Sequence, residues 1–353
     1  MLPFPITGSA RHVSSGLTAA SVVAGSIGSF SAPTVSSMTL GESHEITVAS
    51  VPVRLAVIMP VFGNWGDTLD CLRMLADQTS QEFRLFLADD GSPESPPDAI
   101  HAFPFVTYLR KQHGGFASTC NVAADVAADA GYTHILLLNN DTSFGPSFIE
   151  VWLAKAAASP QAIMGPVICY FDQPDVIWYS GGPRSVVVPF VRLRRRFTEQ
   201  TAVDILTGCV LLVPVPAWTR INGFDEQYEL YYEDFDFMLR AREAGVPAYL
   251  VIEPELRVLH KVSRSALHRG RWNRDYRMIA TRLLFIRRRY AGMERVVCLG
   301  ASIPHLAMVA LQNIPELPNP RRLWMAIRKG LTDDASGEPA QPSVSLRDSR
   351  NVP

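Results

Sequence analysis

Residues 134–141 read HILLLNND, a run dominated by Ile and Leu that ends in two Asn and one Asp. A short apolar run that stops at turn-forming residues is typical of a buried strand leaving a sheet. Three further runs have the same form: RLAVIM at 54–59, FRLFLA at 83–88 and VTYL at 106–109. Residues 67–79 and 117–130, which lie between these runs, carry apolar residues at helical spacing. Strands that are apolar on both faces and alternate with helices predict an α/β protein with a Rossmann-like, mostly parallel central sheet flanked by helices.

Polar residues follow the second and fourth of these predicted strands, at the sheet edge where such folds bind ligands. Asp90 follows the second strand, and its carboxylate suits a nucleotide base or ribose hydroxyl. Asn139 and Asp141 follow the fourth strand two positions apart, so they can together hold Mg²⁺ or Mn²⁺ and, through it, a diphosphate. Simple turns explain both patterns equally well when each is taken alone.

An acidic segment at residues 225–236 carries five acids within ten positions, and its end reads YYEDFD. Carboxylates set among aromatic rings are paired, metal-bound or catalytic, because an unpaired buried charge is costly. Glu233 and Asp234 suit a general base that deprotonates a sugar hydroxyl. The alternative is a helix N-terminus, where the helix dipole favours acids.

Basic residues are concentrated in the last third of the chain, whereas the whole chain has a net charge of -1, which argues against a general nucleic-acid binder. Residues 257–330 hold 16 Lys or Arg against 3 acids, a pattern that suits pyrophosphates or anionic lipid headgroups, or else a solvated helix face. His260 lies at the start of this region, close to Lys and Ser residues that suit a diphosphate. The five cysteines are scattered without a CxxC pair, which indicates neither zinc nor a disulfide framework.

Composition divides the chain into four parts. Residues 1–50 are rich in Ser, Ala, Gly and Thr and predict a disordered tail, as do residues 333–353. Residues 51–292 form the predicted catalytic domain. Residues 293–332 form a predicted helical extension whose apolar run, 296–311, is too short to span a bilayer and is better placed at a membrane surface or in a core.

A set of motifs taken together resembles glycosyltransferase family 2, in its rhamnosyltransferase-like branch. The motifs, in chain order, are PVF at 60–62, QT at 78–79, DDGS at 89–92, HGGF at 113–116 with Asn121, NND at 139–141, TG at 207–208, GFDE at 223–226, YYEDFD at 231–236 and His260. The resemblance covers residues 53–290. It implies a GT-A fold and an inverting transfer from a nucleotide-diphosphate sugar, assisted by a divalent cation.

The resemblance also implies roles for single residues. Asp234 matches the catalytic base, with Glu233 beside it. Asp141 and Asn139 stand at the family's DxD metal motif, whose first Asp is Asn here, and His260 matches a metal or diphosphate ligand of some members. The remaining matches line the implied nucleotide-sugar pocket: Pro60, Val61, Phe62, Asp90, Gly115, Asn121 and Asn140.

The sequence therefore predicts a hexosyltransferase that acts on a lipid-linked or polysaccharide acceptor and lies peripherally on the cytoplasmic face of the cell membrane. A nucleotidyltransferase of related fold is an alternative, although the loop at 60–65 lacks the basic residues that hold a triphosphate. A catalytically inactive nucleotide-sugar-binding module is a third hypothesis.

Overall fold

The computed structural model describes residues 52–183, 200–228, 230–262, 271–312, 320–332 and 345–346. The predicted tail at 1–50 and most of the predicted tail at 333–353 lie outside these ranges.

Thirteen strands occur in the described residues. They are β1 Leu55–Val61, β2 Phe83–Asp89, β3 Val106–Arg110, β4 His134–Leu138, β5 Thr142–Ser143, β6 Ile163–Pro166, β7 Ile168–Tyr170, β8 Ile177–Tyr179, β9 Thr201–Ala202, β10 Val210–Pro214, β11 Ala248–Val251, β12 Val258–His260 and β13 Ser345–Leu346.

Eight α-helices accompany the strands in the same part of the chain. They are α1 Trp65–Ala76, α2 Phe116–Asp129, α3 Phe148–Ala158, α4 Val215–Ile221, α5 Glu233–Glu243, α6 Arg271–Arg289, α7 Gly292–Gln312 and α8 Pro320–Leu331.

The large central sheet has nine strands in the order β13-β3-β2-β1-β4-β10-β6-β11-β9. Strands β1, β2, β3, β4, β6 and β11 run in one direction, and β9, β10 and β13 run in the other. The prediction of a mostly parallel sheet is confirmed. Strand β10 is the antiparallel member inside the sheet, with Leu212 opposite Leu136 on β4.

Alternate residues of β1 face two separate apolar clusters, which explains why the strand is apolar throughout. Ala56 and Ile58 pack in the cluster that contains α2. Leu55, Val57 and Met59 pack in the cluster on the other side, with residues of α1 and α3. A sheet covered on both faces requires such continuous apolar strands.

A second, four-stranded sheet has the order β5-β12-β7-β8. The chain leaves the central sheet after Pro166 and enters this small sheet at Ile168. Strand β12 pairs antiparallel with β5, which places His260 opposite Thr142. The small sheet thus brings a late residue of the chain beside the end of β4.

Some predicted ends of strands and helices were wrong. Pro60 does not end the first strand but lies within β1, opposite Ala88 of β2. The first helix does not begin at residue 67, because α1 begins at Trp65 after Asn64, which adopts a left-handed conformation. Helix α5 begins at Glu233, so Glu233 and Asp234 do lie at a helix N-terminus, the alternative that the sequence left open.

Helix α8 of the predicted C-terminal extension packs closely on α6. Ile279 and Leu283 of α6 bury Ala326 of α8, and Leu299 of α7 packs against the same cluster. A side chain at Gly330 would meet the Ala280 carbonyl oxygen and the Leu283 Cβ at 2.6 Å, so the two helices touch there through backbone. No described helix combines the length and the apolar character needed to cross a membrane.

Candidate active site

The carboxylate of Asp90 lies at the end of β2 and accepts four hydrogen bonds from the segment after β3. Lys111 Nζ (3.1 Å) and the Gly114 amide (2.8 Å) donate to one oxygen. His113 Nδ1 (2.6 Å) and the Gly115 amide (3.0 Å) donate to the other. Asp90 therefore fixes the shape of the loop at 111–115, and its predicted contact with a nucleotide stays a prediction.

The Phe62 ring lies beside this loop, with its centroid 4.8 Å from that of His113. Val61 is buried in β1 and accepts a hydrogen bond from the Asp90 amide at 2.8 Å, while Pro60 is half-buried. The predicted nucleotide-pocket residues at 60–62 and in the loop at 111–115 are thus neighbours at the carboxyl ends of β1 and β2.

Two other predicted pocket residues hold neighbouring loops in place. Asn121 on α2 donates to the Phe224 carbonyl oxygen at 2.9 Å and accepts from the Phe224 amide at 2.9 Å. Asn140 is buried and donates to Thr68 Oγ1 at 2.9 Å. The described contacts of both amides are structural, and their binding of a donor stays a prediction.

Asp141 and His260 form a buried pair at the junction of the two sheets. Asp141 Oδ1 lies 3.0 Å from His260 Nε2, and the Lys261 amide donates to the Asp141 carbonyl oxygen at 2.9 Å. The Trp178 ring covers His260 edge-on at 4.5 Å. Burial lowers the pKa of His260, but Cys209 and Asp141 outweigh it and raise the pKa to about 10.

The donor atoms of this pair fit a divalent cation that takes few protein ligands. One carboxylate oxygen and one imidazole nitrogen converge, and Mg²⁺ or Mn²⁺ commonly adds phosphate oxygens to one or two carboxylates. Asn139 is half-buried at the same turn. Within the described ranges, no group of three or more His, Cys, Asp or Glu side chains is arranged for a metal, so the fit depends on ligands from a bound diphosphate.

Asp234 lies buried in the first turn of α5. Its two oxygens accept hydrogen bonds from the amides of Gly208 (3.0 Å) and Phe235 (2.8 Å). Burial raises the pKa of Asp234, and these amides offset part of that rise. A carboxyl with a raised pKa in a structured site is typical of a general base.

Glu233 is also buried, but its Oε2 atom has no hydrogen-bond partner in the described structure. Burial, and secondly the charge of Asp234, raise the pKa of Glu233 well above its ordinary value. Of the two neighbouring acids, Glu233 therefore keeps its proton more readily.

Residues 207–209, immediately before β10, connect the two halves of the site. The Gly208 amide binds Asp234, and the Cys209 carbonyl oxygen accepts from the Asn139 amide at 2.9 Å. The Cys209 thiol interacts with His260, and it is within electrostatic range of both Asp141 and Asp234. The proposed base and the candidate cation ligands thus belong to one site.

The turn before α5 is strained. Tyr231 and Tyr232 have φ angles of 72° and 74°, a left-handed conformation that costs a bulky residue about 1–3 kcal/mol. The Tyr232 ring packs 5.2 Å from Phe285 of α6, between centroids. Packing against α6 therefore helps to hold a turn that the backbone alone disfavours.

Consecutive arginines at the end of α6 hold both ends of the acidic segment. Arg289 Nε donates to Asp236 Oδ1 at 2.5 Å, and Asp236 also accepts from Arg240 Nε at 2.7 Å. Arg288 pairs with Asp225 and donates to Gln227 at 2.6 Å. These arginines, which the sequence assigned to a general basic region, instead fix the segment that carries Asp234.

Several residues of the site had no role in the sequence analysis. Lys111 immediately follows β3, and its position at a strand end is a signal that could have found it. Trp178 lies in β8 against His260. Neither periodicity nor charge distinguished Trp178, because β8 has only three residues and His260 comes from a distant part of the chain.

Comparison with known proteins gives the family. A family model described as "Glycosyl transferase family 2" matches residues 56–215. The N-acetylglucosaminyl-diphospho-decaprenol L-rhamnosyltransferase of Mycobacterium tuberculosis is 30% identical over 224 residues, which are 55% of this chain and 71% of that protein. The rhamnosyltransferase WbbL of Escherichia coli K12 is 39% identical over 62 residues, 18% of this chain and 23% of its own length.

Solved structures with a similar fold include GalNAc-T7 with UDP, GalNAc and Mn²⁺, at a TM-score of 0.49 and 14% identity over 72% of this chain and 55% of that one. The mannosyltransferase PcManGT of Pyrobaculum calidifontis, in complex with GDP-Man and Mn²⁺, has the same TM-score and identity and covers 81% of this chain and 90% of its own.

The prediction of a GT-A glycosyltransferase is confirmed by the family match and by the sheet that carries it. The chain belongs to glycosyltransferase family 2 and is rhamnosyltransferase-like.

Proposed function

We propose that the chain is an inverting glycosyltransferase that moves a sugar, with rhamnose as the first to test, from a nucleotide-diphosphate sugar to an acceptor hydroxyl. The observation that carries this proposal is the arrangement around residues 207–209. It joins a buried carboxyl of raised pKa, Asp234, to the Asp141 and His260 pair at the end of the central strands.

In the proposed reaction, Asp234 takes the proton of the acceptor hydroxyl as that oxygen attacks the anomeric carbon of the sugar. The new carbon–oxygen bond forms while the bond to the diphosphate oxygen breaks, and the nucleoside diphosphate leaves with the electron pair. A single displacement from the opposite face inverts the anomeric configuration. The Gly208 and Phe235 amides orient the Asp234 oxygens for this transfer.

Asp141 and His260, with Asn139 beside them, are the residues that would hold Mg²⁺ or Mn²⁺. Such a cation, when bound, neutralises charge on the departing diphosphate. Because a protonated imidazole cannot act as a ligand, cation binding through His260 requires loss of the proton that Asp141 now stabilises.

The acceptor that we propose is lipid-linked or a growing polysaccharide, met at the cytoplasmic face of the cell membrane. The support is the name of the mycobacterial relative, a rhamnosyltransferase that acts on a decaprenyl-diphosphate sugar. A screen of donor hydrolysis with uridine, thymidine and guanosine diphosphate sugars would identify the donor and would also reveal a catalytically inactive binding module.

Asp234→Asn is the direct test of the mechanism. The amide cannot take a proton, so we expect sugar transfer to fall by a factor of about 10³, within the usual range for a lost general base, while donor affinity is retained. Transfer is measured by product formation and donor affinity by calorimetry. The control is Asp129→Asn, an exposed acid on α2, which should leave both unchanged. Near-normal turnover by Asp234→Asn would exclude Asp234 as the base.

A further inference from the structure

The exposed apolar side chains of this chain are concentrated on two helices. Among the described residues, every large hydrophobic side chain with high exposure lies on α7 or α8: Met293, Val296, Val297, Ile303, Trp324, Met325 and Leu331. Met293 is 75% exposed, Ile303 64% and Trp324 58%. Since exposed apolar residues are normally scattered, their confinement to α7 and α8, which both pack against α6, indicates an interaction surface.

The orientation of α8 is set by its contact with α6. Ala326 is fully buried against α6, and Gly330 touches the α6 backbone one turn later. Trp324 and Leu331 are exposed and lie seven positions apart, so they share the side of α8 that faces away from α6. The outward face of α8 is therefore apolar at both ends.

Positive charge accompanies these apolar residues. Residues 320–331 contain four Lys or Arg and no acid. The Arg328 guanidinium lies 5.4 Å from the centre of the Trp324 ring, and Lys329 is exposed beside it. Arg288 and Arg289 are engaged with the acidic segment, so they are not the charges that this surface presents.

An anionic lipid bilayer matches this combination of groups. Interfacial helices place Trp and Leu at the level of the headgroups and use Lys and Arg to attract anionic lipids. We propose that the outward face of α8, together with the exposed apolar residues of α7, docks on an anionic membrane surface. This inference deepens the proposed function, because it assigns the membrane contact to named residues, but lipid binding does not require glycosyl transfer.

The test is sedimentation of the full-length protein with vesicles at low salt. We expect binding to vesicles of equimolar phosphatidylcholine and phosphatidylglycerol, and weak binding to phosphatidylcholine alone. Trp324→Ser with Leu331→Ser removes apolar anchors, and Arg328→Glu with Lys329→Glu reverses the charge. Each pair of substitutions should weaken vesicle binding by about tenfold or more, because the first removes apolar insertion and the second removes attraction to the anionic surface.

A charge-matched control reverses two exposed arginines elsewhere, Arg73→Glu on α1 with Arg220→Glu on α4, and should bind like the natural protein. Thermal unfolding by circular dichroism shows that each variant is folded. Absence of vesicle binding by the natural protein, or full binding by both α8 variants, would overturn the proposal. So would a dimer, seen by light scattering, that the α8 variants convert to monomers without any lipid binding.

These readouts separate this proposal from the proposed function. Vesicle binding is scored without donor or acceptor, so an inactive protein can still confirm the surface. Conversely, transfer to a short soluble acceptor can persist in variants that no longer bind vesicles.

Discussion

Glu233 and Asp234 are adjacent carboxyls with opposite surroundings. Asp234 accepts two amide hydrogen bonds that stabilise its charge, whereas Glu233 Oε2 has no partner among the described residues. Burial raises the pKa of both, and for Glu233 the charge of Asp234 adds to the rise. The pair is therefore divided between a carboxylate that can accept a proton and an acid that retains one.

This division has a consequence for stability. Because the pKa of Glu233 is raised in the folded state, the unfolded chain loses that proton first, and stability falls as pH rises above the ordinary Glu pKa of about 4.3. Glu233→Gln cannot ionise, so its melting temperature should exceed that of the natural protein at pH 8, and the difference should shrink towards pH 4. Glu82→Gln, at an exposed position, should show no such trend. A Glu233→Gln protein that melts lower at pH 8 would contradict this assignment.

Asp141 gives a second prediction for a single residue. Asp141→Asn removes the carboxylate of the candidate cation pair, so we expect Mn²⁺ affinity, measured by calorimetry with a saturating nucleoside diphosphate present, to fall by about tenfold or more. The exposed control Asp129→Asn should keep the affinity of the natural protein. Equal Mn²⁺ binding by Asp141→Asn would move the cation to other ligands.

For single residues, the sequence predicted positions in the fold better than it predicted hydrogen-bond partners. Asp90 and Asp141 follow strands as predicted, because the ends of apolar runs are readable from local pattern, and their roles stay predictions. The four donors around Asp90 were not predicted, since Lys111 and the two glycine amides reach it only after β2 and β3 pair.

Helix α5 depends on α6 for its position. Asp236 is 2% exposed and is held by Arg240 from its own helix and Arg289 from α6. The strained turn at Tyr231 and Tyr232 immediately precedes this contact. The ion pairs and the Tyr232 packing together offset the strain that the turn imposes.

Arg289→Met should therefore destabilise the protein. It leaves the buried Asp236 with one cationic partner, and breaking such a pair costs about 3 kcal/mol. Urea unfolding should show this loss of stability. Transfer activity should also fall, because Asp234 lies two residues from Asp236. Arg73→Met breaks the exposed pair with Asp70 and should change stability by less than about 1 kcal/mol. Equal stability losses in the two variants would show that Arg289 has no special role.

The elements of the central sheet were largely predictable, and the small sheet was not. Strand β4 matches its predicted position because an apolar run with a clear end dominates it. Strands β5, β7, β8 and β12 have two or three residues each, too few for a period to appear. Their pairing arises from long-range contacts, which is why the partner of Asp141 could be named only by resemblance.

For the molecule as a whole, the close contact at Gly330 decides how α8 is attached. Gly330→Ala places a Cβ within 2.6 Å of Ala280 and Leu283, so we expect a loss of about 1–3 kcal/mol and release of α8, followed by hydrogen exchange. Gly300→Ala on α7 has open space around its Cβ and should be neutral or stabilising by up to about 1 kcal/mol. If Gly330→Ala is as stable as Gly300→Ala, α8 does not depend on this contact.

The many Lys and Arg residues of the C-terminal third have more than one role. The count of 16 Lys or Arg against 3 acids is correct, but it does not distinguish arginines that serve the acidic segment from those on the outward face of α8. Only the contacts of α6 with the acidic segment show which arginines belong to which group. Charge composition thus predicted a region of interest, and the fold assigned its parts.

The contacts of Arg288 and Arg289 with the acidic segment also determine the shortest part of this chain that can be used as an enzyme. The family match ends at residue 215, before Asp234, and the arginines that hold the Asp234 segment come a further 50 or more positions along the chain. An expression fragment or a chimaera cut at the family boundary would lack the proposed base altogether. One cut after α5 would contain it without its support, so exchange of catalytic modules between relatives should keep residues 207–289 as a single unit.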